Sequence, residues 1–391
     1  MLRYLTAGES HGRALVVVIE GLPAGLAVTS EQIASELARR RLGFGRGPRM
    51  RFEQDALTLV GGIRHGRTLG SPVAIEIANS EWERGVWNEE MSPDPGETAN
   101  PLTQPRPGHA DLAGMQKYGF SDARDVLERA SARETAARVA AGAVAKALLA
   151  ELGVEVLSHV IQMGPVRSAG GARPVPGDLD RVDESPLRCF DPAAEEEMLT
   201  VVTDAAREGD SVGGVAEVLA YGVPVGLGSH VHWDRRIDAL LAGALMSIQA
   251  VKAVEIGDGF ETAARLGSEA HDAISWDAEA EQYRRETSHA GGIEGGITTG
   301  ELVVARAGMK PLATLNRPVM KTVDTATKEE TVSFKERTDV TAVPAMGVVA
   351  ETMVALVLAS EALRKFGGDS VEELTTNHRA WLETVRGRPH S

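Results

Sequence analysis

Apolar residues along this chain keep two rhythms, short unbroken runs and longer stretches that repeat every three or four positions. The run Leu15 to Ile19 predicts a buried strand, closed by a turn at Gly21-Leu22-Pro23-Ala24-Gly25. Thr29-Ser30-Glu31-Gln32 then has capping-box spacing, and Ile33, Ala34, Leu37 and Ala38 form a helical stripe ending near Gly43. From Glu81 to Pro107 the period is lost among Pro, Asn, Glu and Trp, which predicts a long functional loop. An alanine-rich helix is predicted over 127–152, with Gly153 as its C-cap. A Pro-, Gly- and Asp-rich stretch covers 164–192, and Val215 to Leu219 reads as a strand. Ile237, Leu240, Leu241, Ala244, Leu245 and Ile248 lie at helical spacing within 236–251. A glycine-rich segment spans 288–300, and a last long helix is expected over 344–366.

Helices follow paired short strands in both halves, a hint of a duplicated unit, although no residue-level repeat stands out. No clean linker divides the chain. The pattern predicts an α+β fold over 1–391 with one shared core to about residue 366 and a peripheral tail over 367–391.

Composition narrows the functions open to such a fold. The 42 glycines and an aromatic share of only 4% predict close backbone packing. No run of about 18 apolar residues stands out, so no membrane span is expected, and Met1-Leu2-Arg3-Tyr4 lacks a signal-peptide core. The single cysteine, Cys189, excludes an intrachain disulfide and fits a reducing cytosol, so a cytoplasmic location is expected. A formal net charge of −15 argues against general nucleic-acid binding.

Against that acidic background, Arg39-Arg40-Arg41-Leu42-Gly43-Phe44-Gly45-Arg46-Gly47-Pro48-Arg49-Met50-Arg51 holds six arginines in thirteen residues. Guanidinium groups repel one another, and the interleaved glycines bring backbone N–H groups close to a bound group, so a small polyanion is the expected ligand. A solvated helix end is the plainer reading of Arg39 to Arg41. Gly8-Glu9-Ser10-His11-Gly12-Arg13 offers an imidazole able to protonate a leaving group, and Arg106-Pro107-Gly108-His109-Ala110-Asp111 sets out a second. Arg129 and Arg133 stand four apart on the predicted alanine-rich helix. They share a face there and either hold an anion or pair with Glu128 and Glu134.

Gly209-Asp210-Ser211-Val212-Gly213-Gly214 is like a serine-protease nucleophile loop with an inserted valine, and reads better as a tight loop before a strand. His230-Val231-His232 has only Asp234 nearby as a further ligand, so no metal is expected, and His65 reads as a turn residue. Lys310 and Thr314 follow the glycine-rich segment, and Arg337-Thr338-Asp339 precedes the last helix, where Asp339 among arginines would stay ionised and could act as a base.

Together these segments resemble the chorismate synthase family. Gly-Glu-Ser-His-Gly at 8–12, Arg-Ala-Ser-Ala-Arg-Glu at 129–134 and Arg-Thr-Asp at 337–339 are similar to its three signatures, in order. The arginine loop, Arg-Pro-Gly-His-Ala-Asp, Gly-Asp-Ser-Val-Gly-Gly and residues 247–257 match as well. The resemblance implies loss of phosphate from 5-enolpyruvylshikimate 3-phosphate in an anti-1,4-elimination, giving chorismate with reduced FMN as cofactor. It implies His11 as the acid, His109 beside the flavin and Asp339 as a proton relay. Ser10, Arg40, Arg46, Arg49, Arg106 and Arg133 would face substrate, and Arg40 and Arg46 are also positions assigned to NADP. Arg129, Ala130, Ser131, Gln249, Ala250, Gly295, Lys310, Pro311, Leu312, Ala313, Thr314 and Arg337 would hold FMN. The family's fold implies a β-α-β sandwich with helices between antiparallel sheets, an internal duplication and a homotetramer. With no dinucleotide fingerprint in the chain, NADPH would act only indirectly, through a separate flavin reductase. Ala130, Thr338 and Thr341 depart from residues common in the family, but none of them is a proposed proton carrier. A non-catalytic flavin- or phosphate-binding protein is the alternative reading.

Overall fold

The computed structural model describes residues 2–47, 53–98, 100–317, 319–334 and 338–385. Strands β1 (Arg3–Ala7) and β2 (Ala14–Glu20) pair antiparallel and lead into helix α1 (Ser30–Arg40). Alternation along β2 buries Leu15, Val17 and Ile19, as the apolar run predicts. The Thr29 hydroxyl accepts the Gln32 N–H while the Gln32 side chain accepts the Thr29 N–H, so α1 starts at its capping box. Next come β3 (Leu57–Gly61), the hairpin β4 (Ile63–Arg64) and β5 (Arg67–Thr68), and β6 (Val73–Ala78). Helix α2 (Ser80–Glu83) opens the long irregular segment, which closes at α3 (Asp111–Tyr118). Helices α4 (Arg124–Ala130) and α5 (Thr135–Ala150) precede β7 (Glu155–Met163) and β8 (Val166–Arg167).

The second half begins with α6 (Leu179–Glu184), α7 (Pro192–Glu208), β9 (Gly214–Tyr221), α8 (Ile237–Met246) and β10 (Val251–Ile256). Two short helices, α9 (Phe260–Ala263) and α10 (Gly267–Ala270), and the hairpin β11 (Ile274–Asp277) to β12 (Gln282–Arg285) follow. After them come the small hairpin β13 (Ile293–Glu294) to β14 (Ile297–Thr298), then β15 (Val303–Met309). The hairpin β16 (Lys321–Val323) to β17 (Glu330–Val332), α11 (Val343–Phe366) and α12 (Val371–Val385) end the described chain.

Two antiparallel sheets result, in the orders β1-β2-β6-β3 and β10-β15-β9-β7-β8. Helices α1 and α5 pack on the first, α8 and α11 on the second, and α5 packs on α11. That last contact is close because Gly142 has no side chain: a Cβ there would stand 2.1 Å from Thr352 Cβ. Around each sheet one threonine makes the same set of bonds. Gly25 N–H donates to Thr68 O at 2.9 Å, while the Thr68 hydroxyl donates to Pro23 O and accepts the Leu26 N–H. Gly226 N–H donates to Thr298 O at 2.9 Å, and the Thr298 hydroxyl donates to Pro224 O and accepts the Leu227 N–H.

One expectation needs correcting. The alanine-rich helix is broken: Ser131 sits at φ −62° and ψ 142°, its hydroxyl accepts the Arg133 N–H, and α5 proper starts at Thr135. Arg129 and Arg133 therefore do not share a helical face. Helix α11 is long and apolar enough to cross a membrane by length and composition, although Glu351 interrupts its apolar run. Its most apolar window is 89% buried, packed against α5, β7 and β9, which makes it the core helix.

The centre of α11 carries a charge. Glu351 is fully buried and takes Arg39 Nη1 at 2.7 Å, Lys146 Nζ at 2.6 Å, Arg188 Nη2 at 3.1 Å and the Ser158 hydroxyl at 2.7 Å. Asp183 and Glu36 balance the remaining positive charge. Arg39 is thus committed to tying α1 to α6 and α11, and takes no part in the arginine pocket.

Candidate active site

Gly8 turns the chain out of β1 at φ +96°, where a Cβ would stand 2.2 Å from Ala14 O, so only glycine fits. The loop is then pinned by buried Asn79, whose side-chain amide donates to Glu9 O at 3.1 Å and Gly12 O at 2.7 Å. His11 Nδ1 lies 2.8 Å from Glu128 Oε1, and the His11 backbone N–H donates to Glu128 Oε2 at 2.9 Å. The ring rests on Trp87 at a centroid distance of 4.3 Å, with Nε2 3.6 Å from Glu81 Oε2. Burial alone would push the Glu128 carboxyl up, but the His11 bonds and the Arg124 charge hold it below its ordinary value. Ser10 is buried, 3.2 Å from the Ser131 hydroxyl.

The break at Ser131 sends the two arginines apart. Arg129 donates to Gly8 O at 2.8 Å and Thr6 O at 2.9 Å. Arg133 donates to Asn79 Oδ1 at 2.9 Å, to Ala78 O at 3.2 Å and to Asp55. Asp55 also meets Arg40 at 3.5 Å. Burial pushes Arg40 down to about 10; Asp55 opposes this, while Arg133 and Arg46 add to it. The Nε atoms of Arg40 and Arg46 are buried without an acceptor. Such donors could serve an anion. Arg46 Nη1 is 3.0 Å from Asp339 Oδ2, and Val340 N–H donates to Gly45 O at 2.8 Å, so the arginine loop and the 338–340 segment are laced together. Arg49 and Arg337 lie outside the described residues.

His109 repeats the histidine–carboxylate pairing, its Nδ1 bonded to buried Asp111. Burial would raise Asp111, yet the bonds from His109 and Arg106 hold it well below the carboxylate range. Arg106 Nε donates to Asp111 at 2.9 Å, Nη1 donates to Thr314 Oγ1 at 3.0 Å, and the guanidinium lies over Phe334 at 5.2 Å. Lys310 Nζ donates to Gly108 O, and its backbone N–H donates to Ala250 O at 2.9 Å. Burial, with Lys252 near, lowers the Lys310 ammonium. Gln249 Nε2 donates to Glu134 at 3.0 Å while its Oε1 is buried without a donor. Residues 129–134, 249–250, 310–314 and 106–109 thus form one continuous band. Gly295 does not join it. Its neighbour Gly296 accepts the Ile237 N–H at the start of α8, whereas Gln249 follows the helix's other end.

The Ser211 hydroxyl donates to Leu312 O at 2.8 Å, a loop-tying bond. Ser211→Ala is expected to leave phosphate release unchanged and to cost about 1 kcal/mol of stability, measured by assay and by thermal melting. His232 pairs with Asp234 on the surface, and His65 takes φ +52° in the turn between β4 and β5. The residues that the sequence patterns did not single out are Asn79, Asp55, Glu81 and Trp87. Glu128 was named only as a partner for Arg129 or Arg133, and meets His11 and Arg124 instead.

Two carboxylate-held histidines, with Arg40 and Arg46 each keeping a buried Nε without an acceptor among the described residues, suit an enzyme that handles an anionic group. The chain belongs to the chorismate synthase family, whose model, described as Chorismate synthase, matches residues 2–363. It is 60% identical over 394 residues to a chorismate synthase of Salinispora tropica, covering 98% of this chain and 99% of that protein. Identity to a chorismate synthase of Thermobifida fusca is 59%, covering 98% and 99%. A crystal structure of chorismate synthase matches with a TM-score of 0.78 and 40% identity over 98% of both chains. The activity is that of the family, chorismate synthesis, a lyase reaction in aromatic amino-acid biosynthesis.

Proposed function

We propose that this pocket eliminates phosphate from 5-enolpyruvylshikimate 3-phosphate to give chorismate, with His11 as the acid. One observation carries the assignment of roles: His11 stands on Glu128, and its loop is tied through Asn79, Arg133 and Asp55 to buried Arg40, whose Nε, like that of half-buried Arg46, has no acceptor among the described residues. The substrate's phosphate and two carboxylates suit that donor set, each charge-assisted bond contributing about 1.5–3 kcal/mol. Ser10, Arg40, Arg46, Arg49, Arg106 and Arg133 take the substrate side. Arg133 also orders the pocket through Asn79 and Asp55.

The band from Arg129 to Thr314 fits reduced FMN, since Gln249 Oε1 lacks a donor that a flavin N–H or hydroxyl would supply. Arg129, Ala130, Ser131, Gln249, Ala250, Lys310 to Thr314 and Arg337 would hold it, with Gly295 serving from elsewhere in the assembly. Reduced FMN held there would supply electron density to the substrate during the elimination. His11 delivers a proton from Nε2 to the departing phosphate. Asp339 keeps a carboxylate that takes up a proton, held by Arg46 and by the Gly47 N–H. His109, oriented by Asp111, stands on the flavin side.

We also infer a layered sandwich with internal duplication, supported by the matching bonds of Thr68 and Thr298. Gly61-Gly62-Ile63, Gly66, Thr68 and Gly70 correspond in order to Gly291-Gly292-Ile293, Gly296, Thr298 and Gly300. A homotetramer, a cytoplasmic location and a separate NADPH-dependent flavin reductase complete the reading. The test is anaerobic phosphate release with and without dithionite-reduced FMN. Chorismate formed only with reduced FMN supports the reading; release with oxidised flavin or none overturns the cofactor's role.

A further inference from the structure

We propose that Glu128 is a positioning residue for the elimination, fixing the His11 tautomer so that Nε2, and not Nδ1, surrenders the proton to phosphate. This rests on His11 being the acid. Glu128 is buried, and its carboxylate grips one residue twice, at ring Nδ1 (2.8 and 3.1 Å) and at the backbone N–H (2.9 Å). An ionised carboxylate only accepts, so Nδ1 must carry the hydrogen in the neutral ring. The carboxylate is itself anchored: Arg124, one helical turn earlier, donates to Oε1 at 3.1 Å, and Glu128 O accepts the Ser10 N–H at 3.1 Å. Arg124 also lies over the Trp87 ring at 4.8 Å, and Trp87 in turn covers His11. Among the described residues, the charged groups around His11 include Glu128 and Arg124 on α4 and Glu81 on α2, with Glu90 3.5 Å from Arg124.

In the step, the Nε2–H bond breaks and its proton goes to a phosphate oxygen. The carbon–oxygen bond breaks with its electron pair leaving on phosphate, while the pair of the breaking C6–H bond moves through the ring double bond to complete the diene and that proton passes to Asp339. His11 is left neutral with its hydrogen on Nδ1, and water reprotonates Nε2 before the next turnover.

The experiment compares Glu128→Gln, Glu128→Asp and His11→Ala by kcat, KM and pH profile under reduced FMN. Histidine-selective 15N spectra of the intact protein accompany them. A glutamine has one acceptor for the two His11 donors and turns an amide N–H toward the other. Glu128→Gln should lower kcat about 10- to 100-fold with KM little changed, as when a donor populates the wrong tautomer. Its alkaline limb should move to lower pH, because a negative charge beside the imidazole is gone, and Glu128→Asp should restore the limb in part. A merely structural role would lower the melting temperature without moving limb or tautomer, and that result overturns the proposal. So does an Nε2–H neutral tautomer for His11 in the parent protein, which needs no variant to fold. An active His11→Ala overturns the acid assignment itself, whereas an inactive one with fully active Glu128→Gln overturns only the role of Glu128.

Discussion

Replacing His11 by alanine is expected to slow phosphate release by about 10²- to 10⁴-fold, the contribution typical of one positioned general acid. The substitution should leave the fold intact. Among the described residues the ring meets Glu128, Glu81 and Trp87, and Glu128 keeps Arg124 and the backbone N–H at position 11. Substrate affinity should change little, since Arg40, Arg46 and Arg133 supply the positive charge and are held by Asp55, Asp339 and Asn79. Single-turnover phosphate release with reduced FMN, beside a binding titration, separates the two effects. A rate within about tenfold of the parent would move the acid role to another group, with His109 the next to test.

The second large effect lies in the core. Glu351→Gln keeps shape but removes the charge on which Arg39, Lys146 and Arg188 converge. Breaking a buried ion pair by deleting one partner costs about 3–5 kcal/mol, because the other charges stay desolvated. A drop in the urea midpoint of corresponding size is expected, and an unchanged midpoint would show that Asp183 and Glu36 suffice. The same site sets an acid dependence. Burial raises the Glu351 carboxyl, but Arg39, Lys146 and Arg188 outweigh it and hold it well below its ordinary value. Its stabilisation is therefore present above the unfolded value of about 4.3 and is lost as pH falls through the lower folded value. In Glu351→Gln that part of the acid sensitivity should be missing.

Several elements could be read directly because their causes are local. The capping box set the start of α1, the Leu15–Ile19 run gave β2, and the apolar stretch before Gly367 gave α11. Local pattern failed at Ser131, where a hydroxyl that competes for the next backbone N–H split an otherwise good helix. It also missed the matching Thr68 and Thr298 bonds, because the few glycines, the isoleucine and the threonine that the two segments share leave hydropathy unchanged.

By itself, the sequence determined which chemistry was present: two histidines, an arginine-rich loop and an aspartate, in motif order, because reacting groups are fixed by residue type. Only the tertiary structure decided how each was used. It spent Arg39 on Glu351, divided Arg129 from Arg133, set Gly295 apart, and gave His11 and His109 their carboxylates. A side chain's partner depends on distances across the sheets and helices, from Arg39 to Glu351 or His11 to Glu128, and residue spacing along the chain carries no record of those distances.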